Sequence, residues 1–205
     1  MPTRARRALP WIGAILLAGS LTGCSILPKA PVDATRYYLL SAPAADAAPQ
    51  ANAPVVQIRP IELASYLRGR PIIVRRGDNE IEFRDYARWG EPLEQGIGRI
   101  LREGLLARGA AGSVVMAGGR RDRAVTPAYD VAVRVLAAEG SASGAVEFRA
   151  TWEVSRTDAK TAPVAAGNFH PADLRWDGKT EASLAAQLSD AVSALSTEIA
   201  GALKK

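Results

Sequence analysis

Two segments of the chain show the 3.6-residue spacing of apolar positions that is typical of amphipathic helices. The first follows Glu91, and the second follows Thr180, which is the predicted N-cap. The apolar positions of the first segment are Leu93, Ile97, Ile100, Leu101 and Leu105, and those of the second are Leu184, Leu188, Val192, Leu195, Ile199 and Leu203. The pattern therefore predicts two main helices, one in the middle of the chain and one at its C-terminal end.

Three glycines interrupt the first of these helices. Gly96, Gly98 and Gly104 each lower the helix propensity by about 1 kcal/mol relative to alanine. Because the apolar pattern continues through them, we expect a neighbouring element to approach this helix closely.

Outside the two helices, alternating or β-branched runs predict strands. These runs cover residues 36–40, 55–61, 71–75, 79–83, 113–116, 129–137, 146–154 and 162–169. A turn at Gly77-Asp78 predicts a hairpin over 71–84. Together the elements predict an α/β fold, in which a single domain holds a mixed β-sheet packed by two main helices in a three-layer, sandwich-like arrangement.

The first residues of the chain follow a different pattern. Arg4, Arg6 and Arg7 precede an apolar stretch over 9–21, as in a secretory signal. The next residues, Leu21-Thr22-Gly23-Cys24, resemble the bacterial lipobox. We therefore predict a signal peptide over 1–23, a lipidated tether over 24–35 and a domain over 36–205, with Cys24 as the site of acylation by chains such as palmitate. The alternatives are an ordinary signal with a leftover cysteine and a membrane anchor that is never cut.

Removal of this signal changes the charge of the protein. The 205-residue chain has 26 basic and 21 acidic residues. Removing 23 residues, three of them arginine, leaves 182 residues with 23 basic and 21 acidic ones, a net charge of +2. The basic character therefore does not predict nucleic-acid binding. Acylation of Cys24 also leaves no thiol for a disulfide, so we expect packing alone to stabilise the fold.

Few residues of the chain suit catalysis or metal binding. His170 is the only histidine, which excludes a multi-histidine metal site. Glu80 and Glu82 alternate on a predicted strand; they are a catalytic pair or, more commonly, part of a solvated sheet face. The sequence therefore predicts a protein that is not an enzyme and has no cofactor and no metal.

Arg68, Arg70, Arg75 and Arg76 surround the apolar run 71–74. As a functional surface, this arginine group would bind an acidic partner or phospholipid head groups. Alternatively, it is a charged edge that discourages strand pairing. The sequence leaves both interpretations open.

The run from Tyr66 to Leu106 contains several short motifs that resemble those of a known protein family. Its motifs are Tyr66-Leu67, the stretch RPIIVR at 70–75, Asn79-Glu80-Ile81 and the stretch RWGEPL at 88–93. In this order they resemble the PqiC/YmbA-like family of ABC-type transport auxiliary lipoproteins. Gly90 stands where the family pattern has alanine.

The resemblance implies a periplasmic lipoprotein that works with an MCE-domain protein and an inner-membrane permease, with an ATPase in some versions of the system. Such systems are expected to move phospholipid or other hydrophobic molecules and to support envelope integrity. A phospholipid ligand and a homo-oligomeric ring are further expectations from the family. Ser25, directly after Cys24, predicts anchoring in the outer membrane with the domain facing the periplasm.

The partner-binding residues proposed on this basis are Tyr66, Arg68, Arg70, Arg75, Arg76 and Trp89. For Trp89 the alternative is a buried anchor at the helix start. The rival function is a structural or assembly lipoprotein of the outer membrane without a transport role, and an envelope hydrolase comes third.

Overall fold

Nine strands and two helices are present in the described part of a computed structural model, which covers residues 32–42, 52–117, 127–158 and 163–204. The predicted signal peptide, Cys24 and most of the tether lie outside these residues. In chain order the elements are β1 (Arg36–Tyr38), β2 (Val55–Ile58), β3 (Glu62–Leu63), β4 (Pro71–Gly77), β5 (Glu80–Trp89), α1 (Leu93–Ala107), β6 (Ser113–Met116), β7 (Tyr129–Ser141), β8 (Val146–Arg156), β9 (Ala165–Phe169) and α2 (Glu181–Leu203). A 3₁₀ turn, Ser65–Arg68, lies between β3 and β4.

The long strand β7 organises the sheet. β2, β3 and β4 pair with it in parallel at successive positions along one side, and β8 pairs with it in antiparallel on the other side. β6 extends β2, β5 and then β1 extend β4, and β9 extends β8. The result is one curled, mixed sheet. Together with the two helices, it confirms the predicted α/β fold class.

Alternation along β7 and β8 separates a core face from an outer face. On the core face, three valines of β7 pair with three buried residues of β8: Val131 with Val154, Val133 with Trp152 and Val135 with Ala150. On the outer face, Arg134, Arg149 and Glu153 are exposed. A register shift between Val135 and Ala137 then changes the alternation, and β7 continues to Ser141, beyond the predicted end at Ala137.

Both predicted helices are present, and their apolar positions are buried as expected except Leu203, which is half-buried. All five residues of the first stripe are at most 5% exposed, as are the five from Leu184 to Ile199 in α2. Thr180 is the N-cap residue of α2, but its side chain does not cap the helix. Instead, the carboxylate of Asp177 accepts hydrogen bonds from the Thr180 hydroxyl and from the backbone N–H groups of Lys179 and Thr180, which lower the pKa of Asp177.

The glycines of α1 lie where neighbours approach closely, as predicted. A Cβ at Gly104 would be 2.0 Å from Oγ of Ser196 in α2, and one at Gly98 would be 2.7 Å from Cε of Met116 in β6. A real Cβ does not come this close to another heavy atom, so these two positions let α1 pack directly against both neighbours.

Candidate functional site

Arg75, one of the predicted partner-binding residues, lies near the end of β4 and binds a buried carboxylate of β7. Its Nε and Nη2 both lie 2.6 Å from Oε1 of Glu139 in β7, and its Nη1 donates to the backbone oxygen of Asp78 at 3.0 Å. The Glu139 side chain is 1% exposed, whereas that of Arg75 is 33% exposed. The other carboxylate oxygen of Glu139 has no hydrogen-bond partner among the described residues. Arg75 therefore compensates a buried charge, which is a structural role.

Tyr66 lies beside this pair on the 3₁₀ turn. Its hydroxyl donates to the backbone oxygen of Leu136 in β7 at 3.3 Å. Burial, and secondarily the neighbouring Glu139 carboxylate, raise the pKa of the Tyr66 hydroxyl well above its ordinary value, while Arg75 acts in the opposite direction. Half-buried in this position, Tyr66 holds the turn against the second half of β7.

Arg76 points into a different ion-pair network. It contacts Glu82 across the β4–β5 hairpin, and Glu82 also accepts from Nη1 of Arg84 at 2.7 Å. Nε of Arg84 lies 3.5 Å from Glu181 in the first turn of α2. The network therefore connects the hairpin to the start of α2. It also shows that Glu82, which the sequence offered as one half of a catalytic pair, is neutralised by two arginines.

Trp89 is a core residue. Its side chain is 4% exposed, and its backbone N–H donates to the carbonyl of Arg70 at 2.7 Å. This places the end of β5 beside the start of β4, directly before α1. Trp89 is therefore buried at the helix start, in agreement with the second of the two interpretations given from the sequence.

Arg68 and Arg70 differ from the other members of the arginine group. Both are exposed, and neither forms an ion pair with any residue that the structure describes. The six predicted residues therefore fall into two sets. Trp89, Tyr66, Arg75 and Arg76 are held by contacts within the domain, whereas Arg68 and Arg70 are free to contact another molecule.

A groove that the sequence did not reveal begins at Arg68. It has a volume of about 980 Å³, and its floor is the outer face of β7, β8 and β9. The charged residues that line it are Arg59, Arg68, Arg134, Glu62, Glu94 and Glu153. One pair of them, Arg134 and Glu62, lies at 3.4 Å with both side chains mostly exposed. The only sequence signal for this groove was the run of polar residues at the outward positions of β7 and β8.

The remaining candidate chemistry is dispersed. His170 is exposed, and its Nε2 lies 3.4 Å from Glu147. Within the described ranges, no three histidine, cysteine or carboxylate side chains come together as a metal site would require. None of the helices in those ranges combines the length and apolar character that a membrane crossing needs. The geometry provides a mixed-charge groove with the free Arg68 at its rim, which suits binding to a charged surface.

Comparisons with known proteins agree with this fold. Protein XCC0632 from Xanthomonas campestris has a solved structure that superposes with a TM-score of 0.65 at 18% identity, covering 82% of this chain and 93% of that one. A second solved structure, of an uncharacterized protein, gives a TM-score of 0.64 at 17% identity and covers 82% and 97% of the two chains. No curated protein matches the sequence. The family model for the ABC-type transport auxiliary lipoprotein component matches residues 38–200, so the chain belongs to this family of transport-associated lipoproteins.

Proposed function

We propose that this protein is a non-enzymatic subunit of an MCE-type intermembrane lipid transport system, in which it docks on the MCE-domain protein and its permease and supports envelope integrity. The observation that carries the proposal is the family match, which covers residues 38–200. The absence of a catalytic role is part of the proposal. It is supported by Glu82 being ion-paired on both sides and by His170 lying exposed beside a single carboxylate.

The proposed docking surface consists of the groove and the two free arginines, Arg68 and Arg70. An exposed arginine without an internal partner keeps all its hydrogen-bond donors for another molecule, and its planar group suits carboxylates and phosphates. Arg75 and Arg76 are not part of the proposed surface, because their charges are already compensated by Glu139 and Glu82. The partner would present acidic groups opposite the groove rim.

The proposed anchor is a lipid on Cys24, with Ser25 directing the protein to the outer membrane. The tether over 24–35 would keep the domain near the membrane and facing the periplasm. Confinement of this kind raises the effective concentration of the domain at its partner without adding a contact. We expect Cys24→Ser to leave an unprocessed or mislocalised precursor, which fractionation of the envelope would detect.

The test is purification of the acylated protein in mild detergent with its MCE-domain protein. We expect the two to co-elute and expect the variant Arg68→Glu/Arg70→Glu to bind about ten- to hundredfold more weakly, because a like-charge juxtaposition costs several kcal/mol. Arg175→Glu is the matched control, since Arg175 is also exposed and forms no ion pair within the described part of the chain. If the wild-type protein does not associate at all, the rival function as a structural or assembly lipoprotein replaces the transport role. If both variants bind equally well, the groove rim is not the docking surface.

A further inference from the structure

A second exposed surface lies on β1 and β5, and it contains large apolar side chains. Tyr37 is 62% exposed, Leu39 58% and Tyr86 66%. The register places Tyr37 beside Arg88, and alternation along β5 puts Tyr86 on the same face as Arg88. We call Tyr37, Leu39, Tyr86 and Arg88 the β1–β5 patch.

The patch is not required by the core. On the opposite face of the same two strands, Ala87 and Trp89 are each 4% exposed, and Leu40 is 3% exposed. Those residues already bury the inner side of this part of the sheet. The outward side therefore presents two tyrosines and a leucine to solvent, with no other described element covering them.

Several bonds hold the patch in a fixed shape. The backbone N–H of Gly90 donates to the carbonyl of Tyr38 at 2.8 Å, so β1 stays paired beyond its last strand residue. Nη2 of Arg99 in α1 donates to the carbonyl of Leu40 at 2.7 Å. The N–H of Ser41 donates to Oγ of Ser189 in α2 at 3.0 Å. The segment after β1 is thus attached to both helices, and the patch is preorganised.

An exposed arginine, Arg88, lies among these apolar side chains and forms no ion pair with any residue that the structure describes. Arg36, which is in register with the buried Ala87, and Arg70, which precedes the register partner of Arg88, belong to the opposite face. The nearby Asp85 alternates to the other face of β5. Tyrosine together with unpaired arginine is the composition that proteins place at a membrane–water interface, where the ring enters the head-group layer and the cation meets phosphate.

The position of the patch in the chain favours a membrane over a protein as its occupant. β1 begins twelve residues after Cys24, and a fully extended segment of that length spans at most about 40 Å. A stable protein–protein interface needs about 20–30 residues a side, far more than this patch provides. A bilayer to which the chain is already tethered requires only a small additional contact.

We propose that the β1–β5 patch rests on the anionic phospholipid surface that holds the lipid of Cys24, and that this contact orients the domain on its membrane. The inference rests on the proposed function only in taking Cys24 as the anchor. Arg88 faces lipid phosphates, and Tyr37 and Tyr86 lie at the level of the head groups. The groove rim at Arg68 then remains available for the partner protein.

The experiment uses the mature, acylated protein reconstituted in phosphatidylcholine vesicles with and without phosphatidylglycerol. Because Cys24 is the only cysteine and carries the lipid, an introduced cysteine is labelled uniquely. A polarity-sensitive fluorophore is attached at Tyr86→Cys or, as a control, at Ala142→Cys. β4 starts beside Arg88 and ends beside Ser141, so the exposed residue Ala142 lies at the far end of this strand from the patch.

We expect a blue shift of the emission at position 86, and none at position 142, when phosphatidylglycerol is present. Arg88→Gln should lower the ratio of docked to undocked protein about fivefold, which corresponds to about 1 kcal/mol per arginine near an anionic surface. Added salt should lower this ratio in the wild-type protein.

Equal spectra at the two positions in phosphatidylglycerol vesicles would overturn the proposal. So would a shift at position 86 that is independent of phosphatidylglycerol and grows with protein density, because that would assign the patch to a second copy. A shift that arises only after the MCE-domain protein is added would assign it to that partner. Without added MCE-domain protein the vesicles contain no partner, so failure of this assay leaves the co-elution result untouched, and the reverse also holds.

Discussion

Replacement of Arg75 by methionine tests whether the predicted partner-binding arginine is in fact structural. The change removes the cation and the two donors that lie 2.6 Å from Oε1 of Glu139, and it leaves that carboxylate 1% exposed without its partner. Removing one member of a fully buried pair costs about 3–5 kcal/mol. Because Arg75 is itself 33% exposed, water can enter the vacated space, and we expect the lower value of about 2–3 kcal/mol.

The assay is urea unfolding of the mature chain, monitored by tryptophan fluorescence. Arg75→Met should lower the free energy of unfolding by this amount, which corresponds to roughly 5–10 °C in the melting temperature for a domain of this size. Arg76→Met is the matched control. Arg76 pairs with Glu82 at a site where the two side chains are 40% and 35% exposed, so we expect a loss of at most about 1 kcal/mol.

A double-mutant cycle with Glu139→Gln isolates the cause. If the cost arises from an uncompensated buried charge, Arg75→Met should cost less than about 1 kcal/mol in the Glu139→Gln background, because no charge is then left behind. The reasoning would be refuted if Arg75→Met cost the same in both backgrounds. It would also be refuted if Arg75→Met were no more harmful than Arg76→Met, in which case Arg75 would return to the set of free arginines.

Three further predictions concern packing and titration. Gly104→Ala should lose about 1–3 kcal/mol of unfolding free energy despite its better helix propensity, since the added carbon would lie 2.0 Å from a hydroxyl of α2; Gly201→Ala, with nothing within 4 Å, should gain about 0.5–1 kcal/mol. A larger loss of unfolding free energy for Gly201→Ala than for Gly104→Ala would contradict this packing. Tyr66 keeps its proton in the folded state above pH 10 while the unfolded chain releases it, so stability should fall as pH rises beyond about 10, and less so in Tyr66→Phe. Unfolding measurements at a series of pH values check this dependence. Equal slopes of unfolding free energy against pH for the wild-type protein and Tyr66→Phe would contradict the prediction. Glu198→Ala removes the acceptor 2.7 Å from the indole N–H of Trp152 and should cost about 1–2 kcal/mol, with a change in tryptophan emission; an unchanged denaturation midpoint would show that water replaces this bond.

Local patterns of apolar residues predicted most of the helices and strands, because each pattern indicates which face of the element must be buried. The apolar stripe of α1 and the alternation of β7 and β8 depend only on residues close in sequence, and both are present as expected. The hairpin of β4 and β5 follows from its turn in the same way. By contrast, β3 has only two residues, too few to show any period, and it exists because β7 offers it a parallel partner.

The candidate site was harder to predict because ion pairing in it is non-local. Arg75 and Glu139 are 64 residues apart, and Arg84 reaches Glu181 in the C-terminal helix. The register shift between Val135 and Ala137 moves Glu139 to the face opposite the core valines, in register with Glu147, and Glu139 is nevertheless buried there. The partner-binding role predicted for Arg75 stays a prediction, and no local pattern in the sequence indicated its ion pair with Glu139.

The arginines of this region differ in whether they form an ion pair within the domain, and this difference distinguishes a role in folding from a role in binding. Arg75 and Arg76 each neutralise a glutamate of the same domain, so their positions follow from the stability of the fold. Arg68 and Arg70 neutralise nothing in the described chain, and an exposed arginine pays side-chain entropy whenever it becomes ordered. Their ordering therefore has to be offset by contacts that another molecule supplies. For this reason the groove rim, rather than the whole arginine group, is the part of this surface where we expect the transport partner to bind.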